Sequence, residues 1–430
     1  MEQLLHHIWK YGLYDGNRCL TTAGIPFEVI DAGVYNPNAG PDFFNAKIKY
    51  GATVWAGNVE IHQQSSDWYQ HGHHTDKTYD SVILNVVMKH DSEIYRTGGD
   101  RIDQFVMQVP EHIFNDYAFL QHHSPQTIPC AFRLHEINPL VLSDWKTALA
   151  LERILAKAKR VKTLAERYAG NWEEAFYILL ARSFGTGINS DPFERLARSL
   201  PLAYLLKHID SLLQTEAFLF GQAGFLEEEG NEHPYYLLLR REYALLRHKF
   251  RLTPLPASMW RFARLRPGAF PQVRIAALAA LLHTNPRLFS VFVGTPSLKE
   301  LKELFAVKLS LFWENHYQFD RPSVDHNKGL GNQTVDSILI NTLVPVLFAY
   351  AAQTGQVALE ERAIGFLEEL MPENNMYVRA WRECGLTIRN AFDSQAVLQL
   401  QKEYCDHNKC LYCRIGHQLL ASAPKAITVV

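Results

Sequence analysis

Residues 40–62 read GPDFFNAKIKYGATVWAGNVEIH, and the fold turns on them. Two runs within it, FFNAKIKY (43–50) and VWAGNVEIH (54–62), are rich in β-branched and aromatic residues and bounded by Gly, Pro and Asp, which predicts two strands. Asp42 opens the first. Glu60 and His62 lie two apart on the second, so the period of a strand puts both on one face. If the strands pair as a hairpin, Asp42 falls near the end where Glu60 stands. Two carboxylates that close are unfavourable unless a cation neutralises them, and oxygen ligands of this kind suit Mg²⁺ or Mn²⁺. Asp42, Glu60 and His62 therefore form a candidate divalent-metal site, with the two acids as oxygen donors.

Working outward, LLHHIWKYG (4–12) carries apolar residues at helical spacing, and FEVIDAG (27–33), SVILNVVM (81–88) and QFVMQVP (104–110) read as further strands. VILNVV is apolar nearly throughout, as a strand covered on both faces should be. The expected order is helix, three strands, a partly helical stretch, then at least one more strand. A linker rich in His, Pro and Ser follows at 121–129. From LSDW (142–145), where Ser143 or Asp144 would cap a helix, the pattern is helical almost to the end. The expected fold class is α+β, divided into an αβ domain at 1–125, a helical domain at 126–380 and a cysteine-rich helical segment at 381–430.

A formal net charge of -2, with 47% hydrophobic and 20% charged residues, places the chain among ordinary globular proteins and excludes a whole-molecule polycation. No apolar run reads as long enough to span a bilayer. The start, MEQLLHHIWKYG, lacks the features of a secretion signal. A cytoplasmic location without membrane contact is expected.

Pro-Asp, a spacer, then Glu-X-Lys on the next strand is the signature of the PD-(D/E)XK nuclease superfamily, which Asp42 and Glu60 resemble with His62 in the lysine position. The resemblance implies a restriction-endonuclease-like αβββαβ core, Asp42 and Glu60 as ligands of Mg²⁺ or Mn²⁺, the Ile61 carbonyl as another ligand, and phosphodiester hydrolysis of DNA or RNA. A histidine in the lysine position is compatible with a general base, a ligand, or a site that has lost catalysis. The phrases NAGPDF, GNVEIH, SSDWYQHGH, RLRPGAFPQVRIAALA and YCDHNKCLYCRIG also resemble a bacterial family of unknown function common in Bacteroidetes, which implies no activity.

Three further constellations stand out. QQSSDWYQHGHHTDKTY gathers Asp67, His71, His73, His74 and Asp76 after the Glu60 strand. Asp67, His71 and His73 are candidates to supplement the metal shell, against the plainer reading of a surface loop. Cys405, Cys410 and Cys413, with Cys384 upstream or His417 or His407 in its place, are four donors suited to Zn²⁺ or an iron–sulfur cluster, whereas Cys19 and Cys130 stand alone. Arg247, Lys249, Arg251, Arg261, Arg264 and Arg266, interleaved with Trp260 and Phe262, offer phosphate neutralisation and base stacking, so nucleic acid is the expected partner. The leading functional expectation is a metal-dependent nuclease. A non-catalytic nucleic-acid-binding or scaffold protein and a small-molecule hydrolase remain as alternatives.

Overall fold

A computed structural model of the chain describes residues 1–16, 19–121, 128–228, 230–324 and 328–422. It is α+β, and it falls into two compact units. The first comprises Met1–Trp145 together with Gln401–Val430, and the second is Lys146–Leu400. This differs from the expected three-part division at both boundaries. Residues 401–422 pack with the N-terminal unit rather than forming a segment of their own, because apolar Leu411, Ile415, Leu419 and Leu420 are buried there. A local sequence pattern carries no record of such long-range burial. Most of the expected linker, residues 122–127, lies outside the described residues.

The first unit is built on a mixed sheet. Its strands are β1 (Glu28–Asp31), β2 (Val34–Tyr35), β3 (Phe43–Tyr50), β4 (Thr53–Gln64), β5 (Val82–Lys89) and β6 (Asp103–Val106). Their spatial order is β1-β3-β4-β5-β6, with β2 pairing β3. β3 and β4 form the expected antiparallel hairpin, while β4, β5 and β6 run parallel. Helix α1 (Glu2–Tyr11) buries Leu4, Leu5, Ile8 and Trp9 and packs against β4. Between β4 and β5 the chain makes the short helix α2 (Asp67–Gln70) and two 3-10 turns, His73–Thr75 and Lys77–Tyr79. Parallel pairing requires such a crossover. β5 is buried along most of its length, as its apolar composition dictates.

One register detail creates the site. β3 leaves the ladder at Phe43, which faces Val59, but β4 continues to Gln64. The β3-facing edge of β4 beyond Val59 is thereby left to the residues that precede β3, of which Asp42 is the first.

After α3 (Glu111–Gln121), helix α4 (Pro139–Arg167) begins four residues before the expected Ser143 cap. Asn138 Oδ1 accepts the Leu140 N–H at 2.9 Å, and proline at the first helical position loses no bond. The second unit is otherwise helical, with one short antiparallel pair, His316–Gln318 and Arg321–Pro322. Its core gathers side chains such as Phe184, Phe218, Phe220, Trp313 and Leu347. The expectation that no run could span a bilayer needs correcting: Asn332–Thr354 is long and apolar enough by composition, with mean hydropathy 1.7. It is 67% buried within the protein, which accounts for its apolarity. Its middle, Leu339–Leu343, widens into a π-helical turn where Pro345 cannot donate a backbone bond.

Candidate metal centre

The loop before β3 is shaped to present Asp42. Asn36 Nδ2 donates to the Ala39 and Pro41 carbonyls, each at 3.1 Å, and Asn36 Oδ1 accepts the Asn38 N–H at 3.0 Å. The Asn36 N–H donates to the Asp42 carbonyl at 2.7 Å. Gly40 adopts φ +98°, a conformation that L side chains rarely take. Each residue of Asn-Ala-Gly-Pro-Asp thus serves a closed turn rather than a loose loop.

Two hydrogen bonds then tie Asp42 to β4 across the end of the hairpin. The Asp42 N–H donates to Glu60 Oε2 at 3.0 Å, and the Ile61 N–H donates to Asp42 Oδ2 at 2.9 Å. Glu60 is buried, and burial followed by the neighbouring Asp42 charge raises its carboxyl to about 9. Without a cation, this carboxyl keeps its proton at neutral pH.

Four imidazoles surround the pair. His6, from α1, places Nε2 3.3 Å from Asp42 Oδ2. His73, from the first 3-10 turn, places Nε2 3.3 Å from Glu60 Oε1, and its ring stacks on Tyr79 with centroids 3.8 Å apart. His62 Nε2 lies 3.9 Å from the same Glu60 oxygen, confirming that Glu60 and His62 share a face. His62, His71 and His73 each offer a ring nitrogen, and these three atoms lie within 4.8 Å of one another.

The hydrogen bonds behind His62 fix its tautomer. Gln104 Nε2 donates to the Ser92 carbonyl at 2.9 Å, so Gln104 Oε1 is left to accept from Asn85 Nδ2 at 3.4 Å. Asn85 Oδ1 is then the acceptor for His62 Nδ1 at 2.9 Å. With its hydrogen on Nδ1, His62 turns the Nε2 lone pair toward Glu60 and His73. Burial lowers the pKa of His62 and of His73, so both rings are neutral and able to ligate near pH 7.

These donors fit a divalent cation. Neither nitrogen of His6, nor Nε2 of His62 or His73, makes a well-aligned hydrogen bond although all are buried, and His6 and His73 meet the carboxyls only at 3.3 Å. Leaving so many polar atoms poorly paired beside two carboxyls is costly unless another group engages them.

Of the residues singled out in the sequence, Asp42, Glu60, His62, His71 and His73 come together. Asp67 does not join them: its Oδ2 accepts the Gln64 N–H at 3.0 Å and starts α2. Asp76 likewise caps a turn by accepting the Thr78 N–H. His6 was missed by sequence reasoning. Its only signal was a histidine within the otherwise apolar face of a helix. The basic stretch lies in the second unit. There Arg251, Arg261, Arg264 and Arg266 are exposed, Arg247 pairs with Glu227 at 3.2 Å, and Lys249 meets His208 Nε2 at 3.0 Å. Trp260 is not available to stack a base. It is buried against Phe193 and Phe225 and donates Nε1 to the Ala223 carbonyl.

The cysteines regroup. Cys384 ends the helix Met376–Glu383 in the second unit. Cys405, Cys410 and Cys413 lie in the first, where the neighbours that shift Cys405 upward are Cys413, Cys130 and Cys410. Cys130 does not stand alone.

No curated protein and no solved structure matches the chain. A family model does, over residues 2–376. That span covers the hairpin, the histidine turn and Cys130, and ends before the C-terminal cysteines. On that match the chain belongs to DUF2851, a family of proteins of unknown function.

Proposed function

We propose that the first unit is a metal-dependent phosphodiester hydrolase acting on DNA or RNA, a nuclease of the PD-(D/E)XK type with His62 in the lysine position. The observation that carries this reading is the pairing of the Asp42 and Glu60 carboxyls at the open end of a hairpin in a mixed sheet, Glu60 Oε2 accepting the Asp42 N–H and Asp42 Oδ2 accepting the Ile61 N–H. The order of helix, antiparallel hairpin, partly helical crossover and parallel strand agrees with that superfamily's core. Asp42 and Glu60 would hold Mg²⁺ or Mn²⁺. The Ile61 carbonyl, which leaves β4 on the same side as its N–H, is a third oxygen donor. The surrounding imidazoles favour Mn²⁺ over Mg²⁺. A cation bound there supplies an acidified water and offsets charge developing on the phosphate. His62 Nε2 is poised to accept the proton of the attacking water, and Asn85 holds the ring in that tautomer.

The three imidazoles of His62, His71 and His73 favour a second reading, hydrolysis of a small phosphate ester on a histidine-held transition metal. One assay separates the two. Linear, circular and single-stranded DNA and an RNA are incubated with the full chain in Mg²⁺ or Mn²⁺, beside a chromogenic phosphate ester. Cleavage of nucleic acid that is lost in Asp42→Asn and Glu60→Gln, with folding retained, is expected. Turnover of the small ester alone would select the second reading. Nucleic acid bound with steep salt dependence but never cut would overturn both in favour of a binding protein.

A further inference from the structure

The C-terminal cysteines belong to a site that is independent of the hairpin. Cys405 starts one 3-10 turn, Cys405–His407, and Cys410 starts the next, Cys410–Tyr412. Asn408 joins them in the left-handed region, at φ +54°. The Asn408 N–H closes on the Cys405 carbonyl at 3.0 Å, and the Cys413 N–H closes on the Cys410 carbonyl at 3.2 Å. Cys413 then sits directly before the helix Arg414–Ala421. The backbone N–H groups of Ile415 and Gly416 donate to its buried sulfur, as the start of a helix does for a thiolate. Gly416 is required there, because a Cβ would meet the Cys410 carbonyl oxygen at 2.2 Å.

A segment far earlier in the sequence completes the group. The Leu120 carbonyl of α3 accepts a weak bond from Cys410 Sγ at 3.8 Å, and Gln121 Nε2 donates to the Asn408 carbonyl at 3.2 Å. Cys130 stands directly before the 3-10 turn Ala131–Glu136, which packs against the helix Arg414–Ala421 that follows Cys413, and its thiol is an electrostatic neighbour of Cys405, as are those of Cys410 and Cys413. Cys384, in the other unit, has Glu383 as its charged neighbour and no thiol. Four partly to fully buried thiols from two distant stretches of sequence meet in this region, more than packing alone explains. They do not form a disulfide, since all are free.

We propose that Cys130, Cys405, Cys410 and Cys413 hold a metal centre, with Cys130 and not Cys384 as the fourth ligand. Four thiolates and no open position make the centre structural. Zn²⁺ and an iron–sulfur cluster share this ligand chemistry. A Zn–S distance of about 2.3 Å in a tetrahedron brings the sulfurs to about 3.8 Å apart. Among the described residues, the ligand atoms drawn within 4.8 Å of one another are those of the histidine trio, not these thiols.

The centre would fix one wall of a groove in the same unit. The groove is lined by His6, His7 and Lys10 of α1 and by Tyr412, Arg414 and His417 beside the cysteines. Since His6 also touches Asp42, the clamp sets the approach to the candidate hydrolytic site, a consequence that rests on the preceding proposal. The metal centre itself does not.

The test uses the full chain, purified without oxygen and assayed for iron, zinc and acid-labile sulfide. Iron with equal sulfide and visible colour identifies the cluster, and one zinc per chain without colour identifies the single ion. Either metal is expected to survive in Cys384→Ser and Cys19→Ser and to be lost in Cys130→Ser. Because Cys130→Ser could also impair folding, the native wild type is alkylated with and without a chelator. Cys130, Cys405, Cys410 and Cys413 should become reactive together once metal is withdrawn. Metal retained by Cys130→Ser but lost from Cys384→Ser would overturn the assignment. So would a wild type that holds no metal as purified or after reconstitution.

Discussion

Asn85 Oδ1 accepts the hydrogen of His62 Nδ1 at 2.9 Å, from a strand that is otherwise apolar between Val82 and Met88. Asn85 is fully buried, as is Gln104 behind it, so the relay to the Ser92 carbonyl cannot be replaced by water. A polar residue is retained inside VILNVV because it orients the ring that faces Glu60. Replacing Asn85 by Leu should leave Nδ1 unpaired, lowering stability by about 1–3 kcal/mol. It should also weaken Mn²⁺ binding roughly 10–100-fold if His62 is a ligand, as removal of a group that orients a ligand does, and lower turnover with little change in affinity if His62 is the base. Titration calorimetry with Mn²⁺, run beside urea denaturation and the cleavage assay, reads all three. Unchanged affinity together with unchanged turnover in a destabilised variant would reduce Asn85 to a packing role.

Binding a cation should displace the proton that the Glu60 carboxyl otherwise keeps. Mn²⁺ is therefore expected to raise the melting temperature of the wild type by mass action, by an amount that grows with its concentration over Kd. Glu60→Gln keeps an oxygen to accept the Asp42 N–H and should fold well without metal, yet show little or no Mn²⁺-dependent shift. His71→Ala, at the exposed edge of the trio, should show a partial shift. Equal shifts in all three proteins would place the cation elsewhere.

Much of this site was legible because it is periodic. Strand alternation fixed Glu60 and His62 on one face, and the hairpin followed from two adjacent runs, which the structure extends only to Thr53–Gln64 for the second. What periodicity cannot encode is approach through space. His6 reaches Asp42 from a helix that precedes it by some thirty residues, and Cys130 reaches Cys405 across the whole second unit of sequence. Burial also reversed one inference: Trp260, interleaved with arginines, is a core residue whose indole satisfies a carbonyl. Composition alone gave Trp260 and the exposed Arg264 the same reading.

That contrast predicts opposite phenotypes. Trp260→Ala should cost about 3–5 kcal/mol of stability, the usual loss for a buried aromatic. Joint replacement of Arg261, Arg264 and Arg266 by Ala should alter stability by less than about 0.5 kcal/mol per site. If nucleic acid lies on this face, the triple variant should bind more weakly and flatten the dependence of log K on log salt by up to about 2.7, roughly 0.9 for each phosphate that is no longer neutralised. Fluorescence anisotropy with duplex DNA at several salt concentrations measures that slope. An unchanged slope would remove the three arginines from the interface.

Glu216 gives the second unit a separate dependence on pH. It is 1% exposed, accepts hydrogen bonds from Tyr235 Oη and Ser310 Oγ at 2.9 Å each, and burial pushes its carboxyl from 4.5 up to about 7. The folded state thus holds a proton that the unfolded chain releases above pH 4.5. Its contribution to stability is complete below 4.5 and is lost as pH rises through about 7. Full loss is on the order of 3 kcal/mol. Glu216→Gln keeps an acceptor oxygen but carries no ionisable proton, so it should lose less stability between about pH 5 and about pH 8 than the wild type. Urea denaturation at both pH values isolates the effect, since every other titrating group is common to the two proteins. Parallel losses would mean that the Glu216 carboxylate ionises at its ordinary value, with water reaching a side chain that the fold encloses.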